Sequence, residues 1–145
     1  MNVQRGDVVL IDYPYAAGGG TKVRPVLVIQ NDRDNQRLLN TIVAQITSVT
    51  RRALEPTQLL IEIATPAGQQ SGLRQNSVVN CVNLLTLDRG KVLRKLGSLP
   101  DALMQQVNNC LKAALELPWT CHGKVEWELG RTLMRSPVVK RQTSP

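Results

Sequence analysis

The hydrophobic period of this chain changes near residue 100, and that change restricts the possible folds more than any other feature. Up to that point, short runs rich in Val, Ile and Leu alternate with polar segments that contain Pro, Gly, Asn or Asp. Such runs are typical of short β-strands joined by turns. Beyond that point, apolar residues recur at the spacing of one face of an α-helix. They are Leu103, Val107, Cys110, Leu111, Ala114 and Leu115.

Five apolar runs are predicted to form strands, and residues 88–99 to combine a turn with a short strand or a helical turn. The predicted strands are residues 6–13, 26–30, 41–48, 57–63 and 76–87, the last with a bend at residues 80–83. The polar segments 31–35 and 65–72 are predicted to be a turn and a loop. Several short strands followed by one helix predict a mainly β fold, a small SH3-like barrel with a C-terminal amphipathic helix packed on it.

Pro118 ends the helical pattern, and the apolar periodicity is lost after it. We therefore predict one domain over residues 1–117 and a C-terminal extension over residues 118–145, partly flexible. No stretch approaches the roughly 18 consecutive apolar residues that a membrane span needs, and the N-terminus lacks the apolar centre of a signal peptide. These features predict a cytoplasmic protein with no membrane association.

The charge balance of the chain favours an anionic partner. Eighteen Lys and Arg residues against eleven Asp and Glu residues give a formal net charge of +7. Nucleic acid is the first candidate for such a partner. The chain has no Phe and few other aromatic residues, so it cannot form a platform on which bases stack. Binding of nucleic acid here would depend on arginines and backbone groups.

Most familiar catalytic arrangements are excluded by composition. The single histidine is His122, in the predicted extension, so residues 1–121 can form neither a Ser–His nor a Cys–His pair. The carboxylates are scattered rather than clustered, apart from Asp32 and Asp34 in the polar segment 31–35, which argues against two-metal catalysis. Three cysteines without a CxxC pair indicate neither a disulfide framework nor a zinc site. We predict no metal and no cofactor.

Arginine and hydroxyl groups remain as candidates. Arg24 directly precedes Pro25, which favours an extended backbone and fixes the point from which the side chain leaves the chain. Thr47 and Ser48 end the next predicted strand. If the two strands are antiparallel neighbours, Arg24 and the Thr47–Ser48 pair come to the same end of the sheet. The planar guanidinium and the hydroxyls would then suit a phosphate group, although a solvated surface arginine and an ordinary strand-end turn explain the same residues.

Several motifs resemble, in the same order, those of the MazF/PemK toxin family. They are "RGDVVLIDYPY" at Arg5, "RPVLVIQND" at Arg24, "IVAQITS" at Ile42, "SGLRQNSVV" around Ser77 and "LTLDRGKVLRKLGSLP" around Asp88. The resemblance covers about residues 2–117. It implies a CcdB-like and SH3-like barrel that forms a homodimer. It also implies a metal-independent endoribonuclease that cleaves single-stranded RNA at short sequences and is neutralised by a cognate, MazE-like antitoxin.

The resemblance also assigns roles to residues. The catalytic Arg of the R-P motif corresponds to Arg24, and the catalytic Thr of the I-T motif corresponds to Thr47. The implied reaction is attack by a 2′-hydroxyl on the adjacent phosphorus. It leaves a 2′,3′-cyclic phosphate and a 5′-hydroxyl. Further residues are predicted to bind RNA: Arg5, Lys22, Ser48, Arg74 and Ser77.

Two departures from the family pattern leave base recognition and the level of activity open. Residues 18–21 form part of "GGGTK", where many relatives carry Ser-Glu-Gln, and Leu85 stands where many relatives have Arg. Two other functions also remain open. One is a CcdB-like toxin that binds DNA gyrase and cuts nothing. The other is a degenerate module that binds RNA without cleaving it.

Overall fold

The computed structural model describes residues 2–14 and 17–118. The predicted C-terminal extension therefore lies outside the described residues, apart from Pro118. Residues 1–115 form one compact unit. The strands of this unit are β1 (Asp7–Pro14), β2 (Thr21–Val28), β3 (Asn40–Thr47), β4 (Gln58–Ile61), β5 (Ser77–Asp88) and β6 (Val92–Ser98). The helices are α1 (Asp32–Arg37), α2 (Pro66–Ser71) and α3 (Asp101–Leu115), with a 3₁₀ turn at Arg89–Lys91.

The strands form a single antiparallel sheet in the order β4-β5-β3-β2-β1-β6. The sheet is curled into a half-barrel, and α3 lies against it, which confirms the predicted mainly β fold with a C-terminal helix. Its curvature has identifiable causes in the pairing. The register shifts twice between β1 and β6, and once between β3 and β5. Such irregularities bend a strand and increase its local twist.

The bend predicted in β5 is one of these irregularities. Ala44 of β3 pairs with Leu84, whereas the next residue, Gln45, pairs with Asn80. Residues 81–83 are therefore inserted between consecutive pairs, which confirms the predicted bend at residues 80–83. The insertion turns the Cys81 side chain into the core and leaves Val82 57% exposed.

Both faces of the central strands are buried, which explains their nearly continuous apolar sequences. One face packs against α3 through Val8, Leu27, Ala44 and Ile46, with Met104, Val107 and Cys110 from the helix. The opposite face forms a second core from Val9, Ile11, Val26, Val28, Val43 and Val92. Because successive strand residues alternate between the two cores, a shift of one residue in register would exchange the contents of both.

Two short helices replace segments that the sequence predicted as a turn and a loop. In α1, the Asn31 side chain accepts a hydrogen bond from the Asp34 backbone N–H and caps the helix. Asn35 is buried and joins Thr41 and Gln30 in a hydrogen-bonded network that holds α1 on the sheet. The same residue types that favour turns also begin helices, so the prediction of a turn was wrong.

In α2, Thr65 caps the first turn and Pro66 occupies the start of the helix. Gly72 ends the helix in the left-handed conformation, with φ of 74°. A Thr-Pro start and a Gly stop are helix signals. The prediction of a loop over residues 65–72 was therefore wrong. The helix was missed because it spans only six residues, fewer than two turns.

Strand β2 begins at Thr21, earlier than the predicted Val26. Pro25 pairs with Leu10 of β1, but pairing with β3 begins only at Val26, opposite Gln45. A proline has no N–H to donate, so it is tolerated where one side of the strand has lost its partner. The same loss of pairing separates β2 from β3 at residues 24 and 25.

Every helix within the described residues falls short of the length and apolarity needed to cross a bilayer.

The thiols of Cys81 on β5 and Cys110 on α3 should be unreactive in the native protein. Both are buried, and burial together with the neighbouring Cys110 thiol raises the pKa of Cys81 to about 12. About one Cys81 side chain in 10,000 is then a thiolate at pH 8. In a Cys121→Ser variant, an aromatic disulfide reagent should label no thiol in buffer and two in denaturant. Rapid labelling of the native variant would contradict this arrangement.

Candidate active site

A cleft of about 420 Å³ opens at the end of the sheet where β2 and β3 separate. Its floor includes Leu10 of β1 and Ile46 of β3, and one wall is formed by the first half of β2. The residues between α2 and β5 form the opposite wall, together with part of β6. The cleft therefore exists because pairing between two strands ends early and because a connecting segment crosses over the sheet.

Close packing of α2 on β6 fixes that connecting segment. A Cβ atom at Gly72 would collide with the carbonyl oxygen of Leu96, and one at Gly97 would collide with the carbonyl oxygen of Gln70. Glycine at both positions lets the two backbones touch. This contact holds the following residues, including Arg74, over the strands and completes the wall of the cleft.

Arg24 lies half-buried where the cleft meets a second, smaller pocket of about 380 Å³. The second pocket, called here the Tyr13 pocket, is lined by Tyr13, Gln45 and Asn83, and the two amide side chains are hydrogen-bonded at 2.8 Å. Burial raises the pKa of Tyr13, and the positive charge of Arg24 partly opposes that rise. The guanidinium therefore lies between two open spaces rather than against a carboxylate.

Thr47 lies at the end of β3, the strand that pairs with β2, and it is not among the residues that line the cleft. The two strands pair only as far as Val26 and Gln45, so Arg24 and Thr47 each lie two residues beyond the last pair. The Thr47 hydroxyl oxygen accepts a hydrogen bond from the Val49 backbone N–H at 3.1 Å. Within the described part of the chain, this hydroxyl donates to no protein acceptor, so its proton is available to a ligand. β2 and β3 are thus the antiparallel neighbours that the sequence argument required.

The cleft is strongly electropositive. Its lining contains four cationic side chains, Lys22, Arg24, Arg74 and Arg94, and no carboxylate. None of the four is paired with an Asp or Glu among residues 2–14 and 17–118. Cations gathered without counter-ions attract anions, and the walls of a cleft concentrate that field. This site is chemically suited to a phosphate backbone.

The structure brings together most of the sequence-predicted RNA-binding residues. Lys22, Ser48, Arg74 and Ser77 all line the cleft. Ser77 is buried, however, and its hydroxyl donates to the Gln75 carbonyl oxygen at 2.9 Å. Its hydroxyl therefore stabilises the turn that enters β5.

Arg5 does not lie with the others, in contrast to the expectation from sequence. Its Nε donates to the Ile29 carbonyl oxygen at 2.9 Å and its Nη2 donates to the Asn108 side chain at 2.6 Å. Its backbone N–H donates to Asp32. Arg5 thus connects the N-terminal segment to α3 and to α1. It is not among the residues that line the cleft.

Sequence reasoning missed Arg94 and Tyr13. Residues 88–99 were assigned either a short strand or a helical turn, so the face that Arg94 occupies could not be deduced. The sequence placed Tyr13 at the end of the first predicted strand but did not indicate which residue of another strand lies beside it. The pairing of Ile11 with Arg24 was needed to bring Tyr13 to the same face. No group of three or more His, Cys, Asp or Glu side chains able to hold a metal ion occurs in the described ranges.

Comparison with known proteins identifies the family of this fold and cleft. The family model described as PemK-like, MazF-like toxin of type II toxin-antitoxin system matches residues 4–115. The chain belongs to this toxin family. It is 36% identical over 120 residues to endoribonuclease EndoA of Bacillus subtilis, covering 81% of this chain and 97% of EndoA. It is also 36% identical over 118 residues to endoribonuclease MazF of Staphylococcus saprophyticus, covering 79% and 92% of the two chains.

A solved structure is similar along the same region. It is an endoribonuclease in complex with its cognate antitoxin, from a mycobacterial species. The TM-score is 0.65 at 26% sequence identity, and the alignment covers 81% of this chain and 99% of the other. The likeness therefore extends over nearly the whole of that protein.

Replacing Gly97 by Ala should open the cleft and destabilise the domain. The added methyl group meets the backbone of Gln70 and Ser71, which cannot move away as a flexible side chain can. We expect a loss of about 1–3 kcal/mol in the free energy of unfolding, measured by urea denaturation. Gly90→Ala, in an exposed 3₁₀ turn, is the matched control and should change it by less than about 0.5 kcal/mol. A Gly97→Ala variant as stable as the Gly90→Ala variant would show that α2 does not pack closely on β6.

Proposed function

We propose that this chain is the toxin of a type II toxin–antitoxin system and acts as an endoribonuclease on single-stranded RNA, without a metal ion. The observation that carries the proposal is the position of Arg24. It lines a cleft that contains four cations and no carboxylate, and it lies on β2, the antiparallel neighbour of the strand that ends at Thr47. Family membership and two relatives named endoribonucleases support the same reaction.

In the proposed reaction, a ribose 2′-oxygen attacks the adjacent phosphorus and the bond from phosphorus to the 5′-oxygen breaks. The 2′-hydroxyl proton passes to solvent, and the departing 5′-oxygen takes a proton from water. The products are a 2′,3′-cyclic phosphate and a 5′-hydroxyl. No protein group needs to be oxidised, reduced or covalently modified.

Arg24 would stabilise the negative charge that builds up on the non-bridging oxygens during attack. A guanidinium has five N–H donors and no acceptor, so we assign Arg24 electrostatic stabilisation rather than base catalysis. Thr47 would donate its free hydroxyl proton to one of the same oxygens and hold the phosphate in line. A preorganised donor of this kind contributes about 3 kcal/mol to lowering the barrier.

The fold and charge also support the expected partners. An acidic antitoxin segment would bind the same cleft through charge complementarity and exclude RNA. A similar solved structure contains an endoribonuclease with its cognate antitoxin. We further propose that the toxin works as a homodimer and in the cytoplasm, where its RNA substrate is found.

Removing the Arg24 guanidinium should abolish most cleavage without unfolding the protein. Arg24→Ala should lower kcat by about 100-fold or more on a labelled RNA panel in EDTA, because the transition-state charge loses its partner. Thr47→Val, which keeps the side-chain volume, should lower kcat by about 10- to 100-fold. Arg33→Ala, on the exposed face of α1, removes the same charge elsewhere and should cleave at the wild-type rate.

The product ends decide between the open functions. Cleavage should leave a cyclic phosphate that is detected by mass spectrometry, and it should persist in EDTA. Intact RNA with inhibition of gyrase supercoiling would instead indicate a CcdB-like toxin. Binding without cleavage would indicate a degenerate RNA-binding module. Unchanged kcat in Arg24→Ala would refute the assigned role.

RNA affinity should fall steeply with salt, because each phosphate contact releases counter-ions. For single strands, the slope of log affinity against log salt is about −0.7 per contacted phosphate. Three to four contacts in the cleft predict a slope of about −2 to −3. A substrate with a 2′-deoxy sugar at the cut site allows the measurement by fluorescence anisotropy without cleavage. An affinity independent of salt would contradict binding through the cleft cations.

A further inference from the structure

Arg94 is a cation of the cleft to which neither the sequence argument nor the proposed mechanism assigns a role. It lies on β6, the edge strand that pairs only with β1. It is exposed and lines the same cleft as Arg24. No carboxylate partner for its guanidinium occurs within the described residues. A cation in this position is available to a ligand.

The register fixes the position of Arg94 relative to Arg24. Leu10 of β1 pairs with Pro25 on one side and with Arg94 on the other, so the three residues form one row across the sheet. Neighbouring strands are about 4.8 Å apart, so the backbones of β2 and β6 are separated by about 10 Å. Arg24 belongs to the next row, opposite Ile11, and lies across β1 from Arg94; both arginines line the cleft.

The two residues that follow Arg94 on β6 are held by tertiary contacts. Lys95 pairs with the nearly buried carboxylate of Asp7 at 3.2 Å. The Leu96 backbone touches Gly72 at the crossing of β6 with the segment after α2. A side chain that leaves a rigid strand is positioned more accurately than one on a loop.

The number of cations exceeds what one phosphate can neutralise. A phosphodiester carries one negative charge, and the proposed reaction already gives Arg24 and Thr47 to the scissile group. Binding a single phosphate would leave three of the four cations in the cleft without a counter-ion. A run of nucleotides that crosses β2, β1 and β6 would supply the missing charges.

We propose that Arg94 binds a phosphate next to the scissile one, so that the cleft holds at least two consecutive phosphates of the RNA. This inference rests on the proposed endoribonuclease function. It assigns Arg94 to substrate binding, with Arg24 acting at the reacting phosphorus. Loss of Arg94 should therefore raise KM more than it lowers kcat.

The test removes one charge from the protein and one from the RNA, singly and together. Short RNAs that contain the mapped cut site are made with one uncharged methylphosphonate linkage, placed in turn at each phosphate flanking the cut. On ordinary RNA, Arg94→Gln should lower kcat/KM about 10-fold, because the variant loses a hydrogen bond to a charged group. On the RNA whose neutral linkage lies at the Arg94 site, the same substitution should change kcat/KM less than about 2-fold.

Matched variants separate this contact from a general loss of charge. Arg33→Gln removes one arginine from exposed α1 and should leave kcat/KM unchanged on every RNA of the series. Arg94→Lys should recover part of the loss, because it keeps the charge but not the two-pronged geometry. Thermal unfolding of each variant checks that the fold is retained.

Two results would overturn the inference. One is an Arg94→Gln variant as active as the wild type on ordinary RNA. The other is an Arg94→Gln variant whose loss in kcat/KM is the same on every RNA of the series, wherever the neutral linkage lies. If the wild type cuts no RNA at all, the proposed function fails instead. Affinities of the wild type and Arg94→Gln for oligonucleotides with one methylphosphonate, placed at each linkage in turn, then still decide whether Arg94 contacts a backbone phosphate.

Discussion

The structure depends on the point at which β2 stops pairing with β3. From Val26 onward β2 is hydrogen-bonded on both sides and buried on both faces, so this part of the sheet is rigid. Before Val26, only β1 pairs with β2. Pro25 suits the transition, because it provides no N–H for a second neighbour. A buried, doubly paired strand thus ends directly at the open cleft, and Arg24 leaves the chain at that end.

The electrostatics of the cleft follow from the same geometry. Four cations come from three different parts of the chain: β2, the segment before β5, and β6. Each repels the others, and within the described residues no carboxylate relieves that repulsion. An anionic ligand supplies the missing charge, and under the proposed function RNA and antitoxin would compete for this one site.

Local patterns revealed the long strands and α3, because alternation and helical spacing persist there over many residues. They failed for α1 and α2, which are six residues each and too short for a period to be recognised. Asn31 and Thr65 are good residues for a turn and for a helix cap alike. In α1, the outcome was decided by tertiary contacts, chiefly the buried Asn35 and its partners on the sheet.

The sequence alone was enough to indicate a mainly β fold and to single out Arg24 and Thr47 as candidates, because strand alternation, the Arg-Pro step and the chemistry of the remaining residues are local properties. Tertiary structure decided which other cations share the cleft. It brought Arg94 in through the pairing of β6 with β1, and it directed Arg5 to Ile29 and Asn108 instead. The physical reason is that strand order, bulges and the contact of Gly72 with Leu96 join residues distant in the chain, which no local pattern encodes.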